Sequence, residues 1–231
     1  MADQLSSADR AYDQLRAMAI HFEFKPGERV NESALTKQLS VSRTPLREAL
    51  NRLVAEGFLT VAPGQGFFCR PLSPERILEL YQVRAALESE ALMRGIATAS
   101  EEAIVAFCAH LDATERAYST STDLPDLLEM DETFHVSLAA LSGNAELVRL
   151  LKNVNERIRY VRLVNLQRLL EQGRLGQGEQ ASLSMHRVIA EAVRARDTHA
   201  ALGALRDHIE RRSEETVELV RLAYSRLYVP D

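Results

Sequence analysis

After Pro74 this chain meets proline only twice more, at Pro125 and Pro230. Across that span apolar side chains recur every three or four positions nearly to the end, the spacing of one helix face. The opening seventy-odd residues are punctuated differently. "KPGERVNES" and "APGQG" read as turns, and "RPLSPE" reads as a linker. The contrast divides the chain into a compact mixed module over 1–71, a linker over 72–78 and an all-helical domain over 79–228. No run of eighteen apolar residues occurs, so no segment is expected to span a membrane. "MADQLSSADR" lacks the basic-then-apolar order of a secretory signal. With only Cys69 and Cys108, a disulfide framework is not expected, and a reducing cytoplasm is the expected compartment.

In the first module, residues 7–22 read as a helix with Leu15, Met18 and Phe22 inward. A second helix is expected over 32–39 and a third over 45–56. "FLTV" and "GFFCR" flank "APGQG" as two short strands joined by a glycine-rich turn. Helix–helix–helix–hairpin is the order of a winged helix-turn-helix. The third helix carries the most information, in "VSRTPLREALNRL". Thr44 can cap it, and Pro45 suits its first position. Leu46, Ala49, Leu50 and Leu53 form one apolar stripe toward the core. Arg47, Glu48, Asn51 and Arg52 occupy the other face, with Ser42, Arg43 and Thr44 just ahead of the helix. The charge distribution agrees. Residues 1–70 hold nine Lys/Arg against eight Asp/Glu, while the remainder holds nineteen against twenty-five. A local basic segment on an acidic chain fits a small module that binds a polyanion. Such a helix can enter a major groove, where arginine forks match guanine edges and hydroxyls hold phosphates. A merely solvated arginine face is the competing reading of the charges alone.

The second domain breaks at "TASEE", "STSTDLP", "LSGNAE", "GRLGQG" and "RARDTH", giving six helices near 75–97, 100–118, 124–141, 145–172, 179–195 and 198–227. Ser100 and Asp197 are candidate N-caps. The fold class is therefore mainly α: a winged helix-turn-helix followed by a six- or seven-helix antiparallel bundle. Asp131 and His135 stand at i and i+4 on one helix, while His186 and His208 lie on or beside the apolar stripes of two others. Taken singly, each histidine reads better as a hydrogen-bonded core or boundary residue. Converging, three imidazoles and one carboxylate would hold a divalent transition metal with positions left for another ligand. Arg84 shares a face with Ile77, Leu80, Tyr81, Glu88 and Ala91, which points it inward, either to a salt bridge with Glu88 or to a carboxylate clamped beside the metal. Asn165 interrupts the stripe of Leu147, Leu151, Val154, Ile158 and Val161; a polar core filler competes with a ligand contact there.

The string "NESALTKQLSVSRTPLREALNRLVAEGFLTVAPGQGFF" resembles the DNA-binding domain of the GntR family of bacterial transcription regulators. The rest of the chain resembles the helical ligand-binding domain (FCD type) of its FadR subfamily. The resemblance implies base contacts by Arg43 and Arg47, phosphate or base contacts by Ser42 and Thr44, and a wing tip of Gly64, Gln65 and Gly66 entering the minor groove. Arg52, on the same helix, joins the expected DNA-binding set. Ser33 and Gln65 stand where many members carry a basic residue, and Gln82 where many carry glutamate. In the second domain the resemblance implies metal ligation by Asp131, His135, His186 and His208, while His21, His110 and His199 match nothing. The expected metal is zinc, with nickel, iron and manganese as alternatives. Arg84 and Asn165 would touch a small carboxylate effector. The function implied is a homodimeric regulator, by expectation a repressor, on a palindromic DNA operator. The competing class is a metal-dependent hydrolase using the same site, but no H-E-x-x-H motif, nucleophile elbow or phosphate loop accompanies the histidines.

Overall fold

The computed structural model describes residues 6–121, 123–173, 177–213 and 216–228. The chain divides into two compact units, one built on the chain up to Ser73 and one spanning Pro74–Arg226. In the first, α1 (Ser7–Ile20), α2 (Glu32–Gln38) and α3 (Arg43–Ala55) precede β1 (Leu59–Ala62) and β2 (Gly66–Cys69). The strands pair antiparallel, Leu59 opposite Cys69 through Ala62 opposite Gly66. On its other side β2 is lined by Gly27–Val30, through Val30 N–H to Phe67 O at 2.8 Å and Cys69 N–H to Glu28 O at 2.9 Å. This is the winged helix-turn-helix expected from the element order.

One device ends several helices here. A residue with left-handed backbone follows the last turn, and the next amide closes back onto the helix. Phe22 (φ 56°) and Ser40 (φ 53°) take that conformation, with Glu23 N–H bonding Met18 O and Val41 N–H bonding Thr36 O. α1 therefore stops at Ile20, and Phe22 belongs to the turn rather than to the helix. Ser40 sets the angle at which α3 departs. α3 also starts earlier than expected: Ser42 is its N-cap, Arg43 and Thr44 lie in its first turn, and Pro45 comes third. Proline fits there because the amides of the first turn have no intrahelical partner in any case. The first helical bond is Leu46 N–H to Ser42 O at 3.3 Å.

Leu46, Ala49, Leu50 and Leu53 of α3 are fully buried against Leu15 and Ala11 of α1 and Leu59 and Phe67 of the hairpin. α1 is pinned to α3 by polar contacts as well. Arg52 donates to Asp9 at 2.8 Å and lies 3.7 Å over the Tyr12 ring, while Tyr12 Oη donates to Glu56 at 2.6 Å.

The second unit is helical: α4 (Pro74–Thr98), α5 (Glu101–Thr120), α6 (Leu124–Ala140), α7 (Ala145–Glu171), α8 (Gln177–Arg194), α9 (Thr198–Ser213) and α10 (Thr216–Tyr228). α4 begins at Pro74, inside the stretch read as linker, because Pro74 and Glu75 suit a first helical turn. The helix expected over 198–227 is described as α9 and α10; residues 214–215, and 174–176 within "GRLGQG", lie outside the described residues. Ser100 and Asp197 cap as expected, accepting from Ala103 N–H at 3.2 Å and Ala200 N–H at 2.9 Å. α4 packs on α6, α7 and α9, and α5 and α8 close the other side against α6 and α9. α4 is thus a central rod, and its buried face includes Arg84, Glu88 and Ser89.

Two helix glycines test this packing with opposite signs. A Cβ on Gly95 would stand 2.9 Å from Leu141 Cβ, whereas one on Gly203 meets nothing within 4 Å. Gly95→Ala is expected to destabilise the protein by about 1–3 kcal/mol through overpacking. Gly203→Ala is expected to stabilise it by about 0.5–1 kcal/mol through helix propensity. Denaturant unfolding of the two variants checks both.

Candidate metal centre and recognition helix

In the first unit, Arg43 and Thr44 at the start of α3 and Arg47 one turn on line a cleft of about 750 Å³, together with Arg29, Val30, Asn31, Glu32 and Ser33. Ser42 makes no side-chain capping bond and is exposed at the mouth of the helix. Gly64 and Gly66 shape the hairpin tip. Gln65 N–H closes on Ala62 O at 3.0 Å, and Gly64 takes φ +73° after Pro63, the geometry of a type II turn. Gln65 is exposed at that tip. Arg52 is not among these groups. Its guanidinium is held by Asp9 and Tyr12, so it ties α3 to α1 instead of standing with Arg43 and Arg47. The Asp9–Tyr12–Arg52 spacing spans more than forty residues, which helix periodicity could not reveal. Arg29, one of the basic residues of this segment, lines the cleft, and so does Glu32, which escaped the sequence reading.

In the second unit, α6 supplies Asp131 and His135, α8 supplies His186 and α9 supplies His208. All four are buried, and one ligating atom from each lies within 4.8 Å of the others. His208 Nε2 stands 3.2 Å from His135 Nε2 and 3.2 Å from His186 Nε2. Asp131 approaches His135 Nε2 at 3.7 Å through Oδ2 and His186 Nε2 at 3.6 Å through Oδ1. Phe134 stacks on the His186 ring at 3.9 Å between centroids and fixes its plane.

Behind these four side chains stands a second set of charges. Glu88, fully buried on α4, accepts from Arg84 Nε at 2.6 Å and meets His135 Nδ1 at 2.6 Å. Arg162 of α7 donates to Asp131 Oδ2 and, at 3.4 Å, to Glu132. Burial pushes the Glu88 carboxyl up, but His135 and Arg84 outweigh it and hold the group down at about 2. Burial likewise drives charge off His135 and prevails over Glu88, so its pKa is lowered. A neutral ring donating Nδ1–H to an ionised Glu88 satisfies both directions, with the permanent Arg84 cation keeping the carboxylate charged. That tautomer leaves His135 Nε2 as a bare lone pair facing the cluster.

The donor set suits a cation. With His135 Nε2 bare, an N–H on His208 Nε2 that bonds it cannot also point at His186 Nε2, so the three rings do not satisfy one another by hydrogen bonding. Ligand atoms about 2.1 Å from one ion lie about 3.0–3.5 Å apart in octahedral or tetrahedral arrangements, close to the separations here. The buried Asp and three His are compatible with metal binding. A carboxylate on the far nitrogen of a ligating imidazole is also a recurrent support for bound metal.

Arg84 is completely buried, as its position in the stripe predicts, and the salt bridge to Glu88 is present. Its Nη1 and Nη2 are nevertheless buried without a hydrogen-bond partner among the described residues. Asn165 does not join the cluster. It is half-buried and accepts from Arg168 on its own helix at 3.2 Å, because the inward polar positions of α7 are Asn155 and Arg162. Arg162 escaped the sequence reading: within a run of arginines, nothing in the spacing marks which one turns inward. His110, His21 and His199 are exposed.

Residues 7–69 match the bacterial regulatory proteins of the gntR family, and residues 79–211 match the FCD domain. The chain is 35% identical over 211 residues to the Nta operon transcriptional regulator of Aminobacter aminovorans, covering 91% of this chain and 95% of that protein. It is 28% identical to the HTH-type transcriptional repressor GlaR of Escherichia coli, over 86% of this chain and 90% of that one. In fold it is similar to E. coli McbR/YncC, with a TM-score of 0.70 at 19% identity over 96% of this chain and 100% of that one. The families and relatives are transcription regulators and not enzymes.

Glu88→Gln keeps all four candidate ligands but removes the charge behind His135. It is expected to lower metal affinity about 10–100-fold, read by competition against a chromogenic chelator; unchanged affinity would show that the carboxylate does not support the ligand. The lowered pKa of His135 also fixes a sign. Unfolded chains take up a proton near the ordinary imidazole value of 6.5, which the folded ring resists. Stability of metal-free protein should therefore fall as pH drops below that value. Urea unfolding across the interval checks it, and a flat profile would contradict a neutral buried ring.

Proposed function

We infer that a metal-anchored organic acid controls operator binding by this chain, which belongs to the gntR family of bacterial regulatory proteins and is a DNA-binding transcription regulator with an FCD domain. The observation that carries the effector half is Arg84: a guanidinium with both terminal nitrogens buried and without a hydrogen-bond partner among the described residues, joined through Glu88 to a candidate metal ligand. Burying such donors without partners costs free energy, and a carboxylate is the group their geometry matches. Asp131, His135, His186 and His208 would hold a divalent transition metal, zinc first and nickel, iron or manganese as alternatives. When bound, such a metal supplies a Lewis-acidic position that a carboxylate oxygen can occupy. Glu88 orients His135, Arg162 holds Asp131, and Phe134 fixes His186, so the donors are preset.

On the DNA side, Arg43 and Arg47 would read base edges, with Ser42, Thr44 and the amides at the start of α3 on phosphates and Gly64–Gly66 at the minor groove. One module offers few base contacts, which supports a homodimer on a palindromic operator, in the cytoplasm where the operator lies. Control requires that the acid bind one arrangement of the dimer more tightly than the other. Repression, with release on effector binding, is the mode we favour; a relative carrying the name of a repressor supports it.

Metal-stripped and zinc-reloaded protein, each screened by thermal shift against mono-, di- and tricarboxylic acids, tests the reading. Stabilisation by an acid is expected only after zinc is restored. His186→Ala is expected to lower metal content and abolish that acid-dependent shift while DNA binding without effector persists. An acid that binds equally well to stripped protein would make the metal structural.

A further inference from the structure

The cleft beside α3 holds a group of the wrong sign for a polyanion site. Glu32, the first residue of α2, lies among Arg29, Arg43 and Arg47. Its Oε2 stands 3.1 Å from Arg47 Nε. A Cβ placed on Gly66 would meet Glu32 Oε1 at 3.4 Å and Arg29 Nε and Nη2 at 3.6 Å. The carboxylate is therefore set between the recognition helix, the tip end of the wing at Gly66 and Arg29. The Arg47 guanidinium also stands 5.9 Å from the centre of the Phe67 ring on β2.

A carboxylate here opposes the approach of phosphates, so it weakens the sequence-independent part of DNA binding. Its contact with Nε has a second effect. An arginine fork offers Nε and two Nη atoms; engaging Nε leaves both Nη atoms for the paired acceptors of a guanine edge. The ion pair also holds a side chain that is otherwise largely exposed in one direction.

We propose that Glu32 is a specificity-determining residue: it aims Arg47 at base edges and denies that arginine to backbone phosphates, trading overall affinity for discrimination. The proposal rests on Arg47 as a base-contacting residue, and the test separates the two. Duplexes selected from a random-sequence pool by the wild-type protein serve as the specific probe, and a scrambled duplex as the non-specific one. Affinities for both are measured across salt for wild type, Glu32→Gln, Glu32→Asp, Arg47→Ala and the double variant Glu32→Gln/Arg47→Ala.

Glu32→Gln is expected to strengthen binding to the scrambled duplex a few-fold and to narrow the specific-to-scrambled ratio about tenfold. Glu32→Asp keeps the charge but withdraws it from Nε, so it should narrow the ratio without strengthening scrambled binding. In the double variant the glutamine should cause no narrowing beyond that of Arg47→Ala. An unchanged ratio in Glu32→Gln beside a narrowed one in Arg47→Ala overturns the role of Glu32 and leaves Arg47 as the reader. Unchanged ratios in both overturn the assignment of Arg47 itself. Thermal melting confirms that each variant is folded, and a lower melting point with an unchanged ratio reduces the ion pair to a structural tie and contradicts the proposal.

Discussion

A carboxylate buried between a guanidinium and an imidazole sets the state of the whole helical interior. Glu88 is charged because Arg84 is, and His135 turns its bare Nε2 inward because its Nδ1–H is committed to Glu88. Either partner alone would be an uncompensated charge in a place where water does not reach, at a cost of several kcal/mol. Together they settle the tautomer of a candidate ligand through a residue on another helix. Arg162 does the corresponding work for Asp131 from α7. Two of the four donors, His135 and Asp131, thus rest on fixed charges supplied by α4 and α7. A preset donor cluster of this kind would bind a cation with little rearrangement.

The winged helix-turn-helix solves a different problem with similar means. α3 needs one face in the core and one left open, and its four buried apolar side chains achieve the first. Polar pins achieve the second: Arg52 lies on Tyr12 and Asp9, and Arg47 is held by Glu32. Of the arginines that made this stretch conspicuous, one is structural, one is oriented, and Arg43 stands exposed at the start of the helix. A surface that appears uniformly basic in sequence is divided into separate tasks by its acidic neighbours.

Most of the architecture was legible because it rests on periodic burial and on backbone chemistry. The leucine stripe of α3, the caps at Ser100 and Asp197 and the hairpin around "APGQG" are local signals, and local signals survive in a linear string. The end of α1 was less legible, because a left-handed residue other than glycine, Phe22, does the work there. The start of α3 was misplaced by two residues because Thr44 has the chemistry of a cap and Pro45 that of a first residue, while Ser42 holds the position. The four buried donors could be named only by resemblance, since spacing fixes a helix face but not which faces meet. Glu88, Arg162 and Glu32 show the limit most clearly. Each acts through a partner on another helix, and no pattern within one helix encodes that meeting.

Whether the buried Asp and His side chains grip one metal ion is decided by anomalous diffraction at the zinc edge from crystals of the zinc-loaded protein. A single strong peak per chain is expected, about 2.0–2.2 Å from Nε2 of His135, His186 and His208 and from an Asp131 oxygen. Zinc bound only at other side chains, with the three rings still facing one another and no peak between them, would contradict it.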